Sequence, residues 1–125
     1  MEIDYLKTYK TYFLKLIMAK NNEVQELSEK EFEVFTKEGI VLIDFFAEWY
    51  MPCVMLTPVI KEISENFKGK LKVGKVNIEN NFELAEKFGI SSIPNLILFK
   101  DGKVVEQIIG VMPQEEIEKV IKGYI

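Results

Sequence analysis

The stretch Ile40-Val41-Leu42-Ile43-Asp44-Phe45-Phe46, running on into Ala47-Glu48-Trp49-Tyr50-Met51-Pro52-Cys53, decides the fold. Its first part is a continuous apolar run with a single acid inside it. A run without polar alternation reads as a central strand buried on both faces. An ionised carboxylate is costly to bury, so Asp44 is expected to carry a raised pKa. Helical periodicity follows the loop, over residues 53–67. Pro58 lies inside that pattern and is expected to kink it, because proline lacks an amide donor and its ring crowds the preceding turn.

Working outward, Val24 to Leu27 is a candidate short strand. Ser28-Glu29-Lys30-Glu31 matches a capping box, and Phe32 and Phe35 supply the apolar face of the helix it opens. Gly39 is a natural stop for that helix. Leu71 to Ile78 reads as a strand, residues 81–88 as a short helix ended by Gly89, and Leu96-Ile97-Leu98-Phe99 as another strand. Asp101-Gly102 signals a hairpin turn into Val104 to Ile109. Residues 114–122, with Ile117, Val120 and Ile121 on one face, close the chain as an amphipathic helix. The order β-α-β-α-β-α-β-β-α predicts an α/β fold of three layers, α/β/α, around a mixed central sheet.

Residues 1–20 form a separate pattern. Tyr5, Tyr9, Tyr12, Phe13, Leu16 and Ile17 recur at helical spacing, with lysines mostly on the other faces. Three readings stand: a helix packed on the domain or on a second copy, which offers a dimer contact; an anchor to a partner or membrane surface; or an upstream stretch preceding a start at Met18. Asn21-Asn22 reads as a linker. The expected organisation is an extension over 1–22 and one domain over 23–125.

Composition narrows the function. The 125 residues carry a net charge of −4, which argues against a nucleic-acid partner. There is no histidine and one cysteine. An intrachain disulfide, a Cys/His zinc site and a Cys–His or Ser–His–Asp catalytic set are therefore excluded within one subunit. No cofactor or metal is expected. No apolar stretch is long enough to span a membrane, and Lys15 interrupts the N-terminal apolar run, so no secretory signal is expected. Scarce cysteine suits a reducing cytoplasm. Abundant Lys and Glu give the chain a thermophile-like composition.

Six local patterns, taken together, resemble the thioredoxin family. They are Val41 to Trp49 leading into the loop, Met51-Pro52-Cys53, Pro58 in the following helix, Lys75-Val76-Asn77-Ile78, Ile93-Pro94, and Phe99-Lys100-Asp101-Gly102. The resemblance covers residues 23–125 and implies the thioredoxin fold and protein disulfide reduction in redox homeostasis. It also implies disulfide-containing protein substrates and recharging by a thioredoxin reductase. The family motif is Trp-Cys-x-Pro-Cys, and here Tyr50 holds the place of the first, attacking cysteine. Cys53 matches the second, resolving cysteine, which the family shields. Asp44 matches the family's buried acid and Lys75 the lysine beside it. Pro94 matches the cis-proline, and Trp49, Met51, Pro52, Ile93, Pro94 and Gly110 match the apolar surface that takes the substrate peptide.

The departure at Tyr50 has a mechanistic consequence. A dithiol releases its substrate through the second sulfur at high effective concentration. A phenol forms no S–S bond, so Cys53 alone has no intramolecular partner. Dithiol turnover is expected to be lost or very slow. Asp44 and Lys75 then read as a retained structural ion pair. The alternatives are a redox-silent module that holds peptides on the Trp49–Pro94 surface, and a monothiol protein that uses Cys53. Met51 and Val54 stand where the family commonly has a glycine and a basic residue, making this surface more apolar.

Overall fold

Strand β2 (Ile40–Phe46) sits in the middle of a five-stranded sheet in the computed structural model, which describes residues 24–125. The expected helix over residues 1–20 lies outside the described residues. The other strands are β1 (Gln25–Glu26), β3 (Lys72–Asn77), β4 (Asn95–Lys100) and β5 (Lys103–Ile109), with helices above and below the sheet. The sheet order is β1-β3-β2-β4-β5. β1 and β2 both run parallel to β3, while β4 is antiparallel to β2 and to β5. The sheet is therefore mixed, as the element order requires.

The absence of alternation in β2 has a direct cause. Val41, Ile43 and Phe45 point to one face and pack with Phe32 of α1 (Glu29–Thr36) and Leu84 of α3 (Phe82–Lys87). Leu42 points to the other, where Leu56, Ile60 and Ile63 of α2 (Met51–Asn66) meet Ile117 and Ile121 of α4 (Gln114–Lys122). Successive side chains of a strand alternate faces, so a strand covered on both sides needs apolar residues at every position. Asp44 shares the face of Leu42, beneath α2. On the opposite face the aromatic rings of Phe32, Phe88 and Phe99 meet at centroid distances of 5.4 to 5.6 Å.

Local chemistry sets the boundaries. The Ser28 hydroxyl accepts the Glu31 N–H at 3.4 Å, and the Ser28 N–H donates to Glu31 Oε1 at 3.1 Å, so the capping box is present. α1 ends at Thr36, before Gly39, whose φ of 77° turns the chain into β2. Asp101 (φ 49°) and Gly102 (φ 84°) make the β4–β5 hairpin. Both residues have positive φ, as the tight turn between twisted strands requires.

α2 begins at Met51, two residues earlier than the periodicity indicates. Apolar spacing did not register Met51 and Pro52, the first two residues of the helix. Proline is well tolerated there, since the first amides of a helix have no intrahelical acceptor. The helix persists through Pro58 as one element. Pro58 is exposed and has no amide to donate toward the Val54 carbonyl one turn back.

Candidate functional site

β2 delivers its chain to one end of the sheet, and the candidate residues gather there. Ala47 is buried, and Glu48, Trp49 and Tyr50 form the exposed turn into α2. Tyr50 is the N-cap, and its carbonyl accepts the amides of Cys53 at 3.0 Å and Val54 at 3.1 Å. Its side chain caps nothing, because a phenol cannot reach back to the first helical amides as a short hydroxyl does. It stands edge-on to Trp49, with ring centroids 5.7 Å apart.

Cys53 lies in the first turn of α2 with 3% of its surface exposed. Burial pushes its thiol pKa up; a backbone hydrogen bond from Ala47 opposes the shift, and the charge of Asp44 adds to it. A buried thiol held protonated is a poor nucleophile.

Asp44 is 4% exposed, and its Oδ1 has no hydrogen-bond partner. Desolvation pushes its pKa up to about 7, against the opposing charge of Lys75. The two are partners in the β2–β3 register, so they share a face of the sheet. Lys75 is half-buried, its ammonium 5.3 Å from the centroid of the Phe46 ring. Asp44 is thus the electrostatic link between Lys75 and Cys53, at the start of α2.

Ile93, Pro94 and Gly110 reach the same end of the sheet by the other route. The Ile93–Pro94 peptide is cis. Asn95 pairs with Phe45, so Pro94 lies where β2 gives way to the loop. The Gly110 N–H donates to the Pro94 carbonyl at 2.8 Å, extending the β4–β5 ladder by one rung. Pro94 itself is buried, Ile93 and Gly110 half-buried, and Pro52 half-buried. Of the expected docking residues, Trp49 (71% exposed) and Met51 (65%) are the exposed ones.

Sequence reasoning missed two parts of this arrangement. Asn95 is buried behind Pro94, accepting from Gln107 Nε2 at 3.0 Å and donating to the Ser92 carbonyl at 3.3 Å. A polar residue opening an otherwise apolar strand is the signal that could have found it. Met55, Ile109 and Val111 also expose large apolar side chains near the loop and Gly110. Among the described residues, no group of three His, Cys, Asp or Glu side chains could hold a metal ion, and no helix is long and apolar enough to cross a membrane.

The order of strands, the cis-proline opposite the β2 loop and the buried acid beneath α2 coincide with a family match. The Thioredoxin family profile matches residues 23–123. The chain belongs to the thioredoxin family. It is 46% identical over 102 residues to thioredoxin from Listeria monocytogenes, spanning 82% of this chain and 99% of that one. Thioredoxin from Bacillus subtilis is 37% identical over 102 residues, covering 82% and 98%. Among solved structures, a mutant thioredoxin from Halobacterium salinarum aligns with a TM-score of 0.76 and 31% identity, covering 82% of this chain and 91% of the other. The thioredoxin fold expected from the six local patterns is therefore the fold of this chain.

Proposed function

We propose that this chain is a thioredoxin-family protein of thiol–disulfide exchange whose dithiol turnover is lost, because Tyr50 stands where the family's attacking cysteine belongs. Family membership supports the redox chemistry. One observation carries the loss: the chain's single thiol is the buried Cys53, and the exposed N-cap position in front of it holds a phenol.

The chemistry follows from electron balance. A thiolate attacks a substrate disulfide, forms one S–S bond and releases one substrate thiolate. A second thiol must then attack the mixed disulfide and release the other. In this chain the second attack has no intramolecular thiol, so an external thiol must supply it. Asp44, placed to take a proton near Cys53, has no dithiol cycle to serve and acts as a structural group paired with Lys75. Trp49, Met51, Pro52, Ile93, Pro94 and Gly110 retain the surface for an extended peptide carrying the disulfide. By the same reading the partners are disulfide-containing proteins and a thioredoxin reductase, in the cytoplasm.

The test is reduction of a protein disulfide with excess small thiol as electron source, comparing this chain with Tyr50→Cys. Turnover by the variant alone is the expected result. Equal rates would overturn the reading and make Cys53 an active monothiol. The exposure of Trp49 and Met51 favours a second reading, a redox-silent module that binds peptides. In that case Tyr50→Cys binds the same peptides as this chain and gains no reductase activity.

A further inference from the structure

The charges of this protein are sorted by the end of the sheet. Four segments leave the sheet where Trp49 stands: the turn after β2, the loop from β3 into α3, the loop before β4 and the loop from β5 into α4. Backbone pairing holds them together. The Ile78 N–H donates to the Phe46 carbonyl at 3.0 Å, Asn95 pairs with Phe45, and the Gly110 N–H donates to the Pro94 carbonyl at 2.8 Å. These segments, with the first turns of the helices they open, hold Glu48, Glu79, Glu83, Glu115 and Glu116, all exposed, and no basic residue. The nearest base along the strands is Lys75, half-buried beside Asp44. Three of the acids suit the positive ends of α3 and α4. Glu48 and Glu79 lie outside any helix, so a helix dipole gives no reason for them.

The opposite end has the opposite sign. There Lys72 pairs with Val41, and the Asp101 N–H donates to the Gly39 carbonyl at 2.9 Å. Six exposed lysines lie there, Lys68, Lys70 and Lys72 at the start of β3 and Lys37, Lys100 and Lys103 about the β4–β5 hairpin, with Glu38 and Asp101 among them. A formal −5 at one end thus faces +4 at the other across the length of β2, about 20 Å. The acidic end also carries the apolar surface. Phe82, 73% exposed, opens α3 four residues past Ile78, and adds to Trp49, Met51, Ile109 and Val111. An exposed apolar patch with a polar rim marks an interaction surface, and the sign of the rim decides which partners it admits.

We infer that this end selects extended peptide segments in which lysine or arginine flanks an apolar residue, and repels acidic ones. The apolar residue is taken by the surface around Trp49 and Met51, and the flanking cations by Glu48, Glu79 and Glu83. Charge complementarity chooses this occupant: a neutral peptide would use the apolar patch and leave its one-signed rim unmatched, and an acidic peptide would meet like charge with no base to offset it. The separation of charge along the sheet adds a steering effect. The field draws a cationic segment toward the Trp49 end and away from the lysine end, which raises productive encounters. The inference deepens the docking-surface reading above and rests on it, naming the class of peptide that surface selects.

The experiment titrates the full chain with synthetic peptides that share one apolar centre and differ only in their flanks: lysine, glutamine or glutamate. Binding is read by calorimetry at about 20 mM and about 300 mM salt. The lysine peptide should bind at least about 10-fold more tightly than the glutamate peptide at low salt, and the gap should close to within about threefold at high salt. The variant E48Q/E79Q/E83Q, its fold checked by circular dichroism, should close most of the gap at low salt. The control E33Q/E38Q, which removes acids toward the other end, should leave it open. Equal affinities in the unaltered chain would overturn the charge selection and leave the docking surface standing. Binding of no peptide at all would overturn both. A gap that survives E48Q/E79Q/E83Q would overturn the inference too, because the selecting acids would lie elsewhere. So would a dimer mass at low salt without any preference among the peptides, since the basic end of a second copy would then be the occupant.

Discussion

Replacing Asp44 with Asn should stabilise the protein at alkaline pH and leave it nearly unchanged in acid. Asp44 is buried on the α2 side of the sheet, and its pKa rises from 3.8 unfolded to about 7 folded. The folded state therefore holds the proton more tightly than the unfolded chain. Stability attributable to this group is greatest below about pH 4, where both states are protonated. It declines as pH rises between the two values, and above pH 7 the full cost of burying a carboxylate is present. A shift of this size corresponds to about 4 kcal/mol, at 1.36 kcal/mol per pKa unit. Asn keeps the shape and removes the charge, so D44N should gain up to that amount at pH 8. With a urea m-value of about 2 kcal/mol/M, the midpoint should rise by about 2 M. The assay is urea unfolding of both proteins at intervals from pH 4 to pH 8. Taking the difference between them cancels the titration of other carboxylates. A difference that stays flat across this range would show that Asp44 titrates normally, and the electrostatic account of the site would fail with it.

Cys53 should react with an aromatic disulfide reagent at least about 100-fold more slowly in the folded chain than in urea, because only an opened α2 N-terminus presents the sulfur. Prompt labelling of the native protein would contradict its burial. At Gly74 an added methyl would lie 2.7 Å from Leu27 Cδ1 and 3.0 Å from Phe35 Cε1. Gly74→Ala should therefore cost about 1–3 kcal/mol in urea unfolding through overpacking of β3 against Leu27 and Phe35. Ser28→Ala removes one half of the capping box and should cost about 1 kcal/mol, measured the same way.

Much of the fold was legible because its causes are local. The hairpin at Asp101-Gly102 follows from the few residues that accept positive φ, and the capping box from a hydroxyl and a carboxylate three positions apart. The buried character of β2 follows from its unbroken apolar run, and Asp44 stands out within that run. The start of α2 was not legible to the residue, since Met51 and Pro52 carry no periodic signal of their own. The exposed apolar face of α2 was half visible. Met51 and Val54 read as unusually apolar, but which residues join them depends on the helix phase that packing against Leu42 imposes.

By itself the sequence determined the element order, the mixed sheet and the absence of a second thiol, because these depend on residue identity and short-range spacing. It also placed Cys53, Asp44 and Pro94 in one motif set through family resemblance. Only the tertiary structure decided that Cys53 is buried on the inner face of α2 while Trp49 stands in solvent, and that Asp44 lies beside Lys75 across a strand pair. It also decided that Pro94 is buried, its carbonyl accepting the Gly110 N–H. Each of these depends on which strand lies next to which and on which face of the sheet a helix covers. Those are long-range choices, fixed when the two apolar faces of the sheet are buried at once.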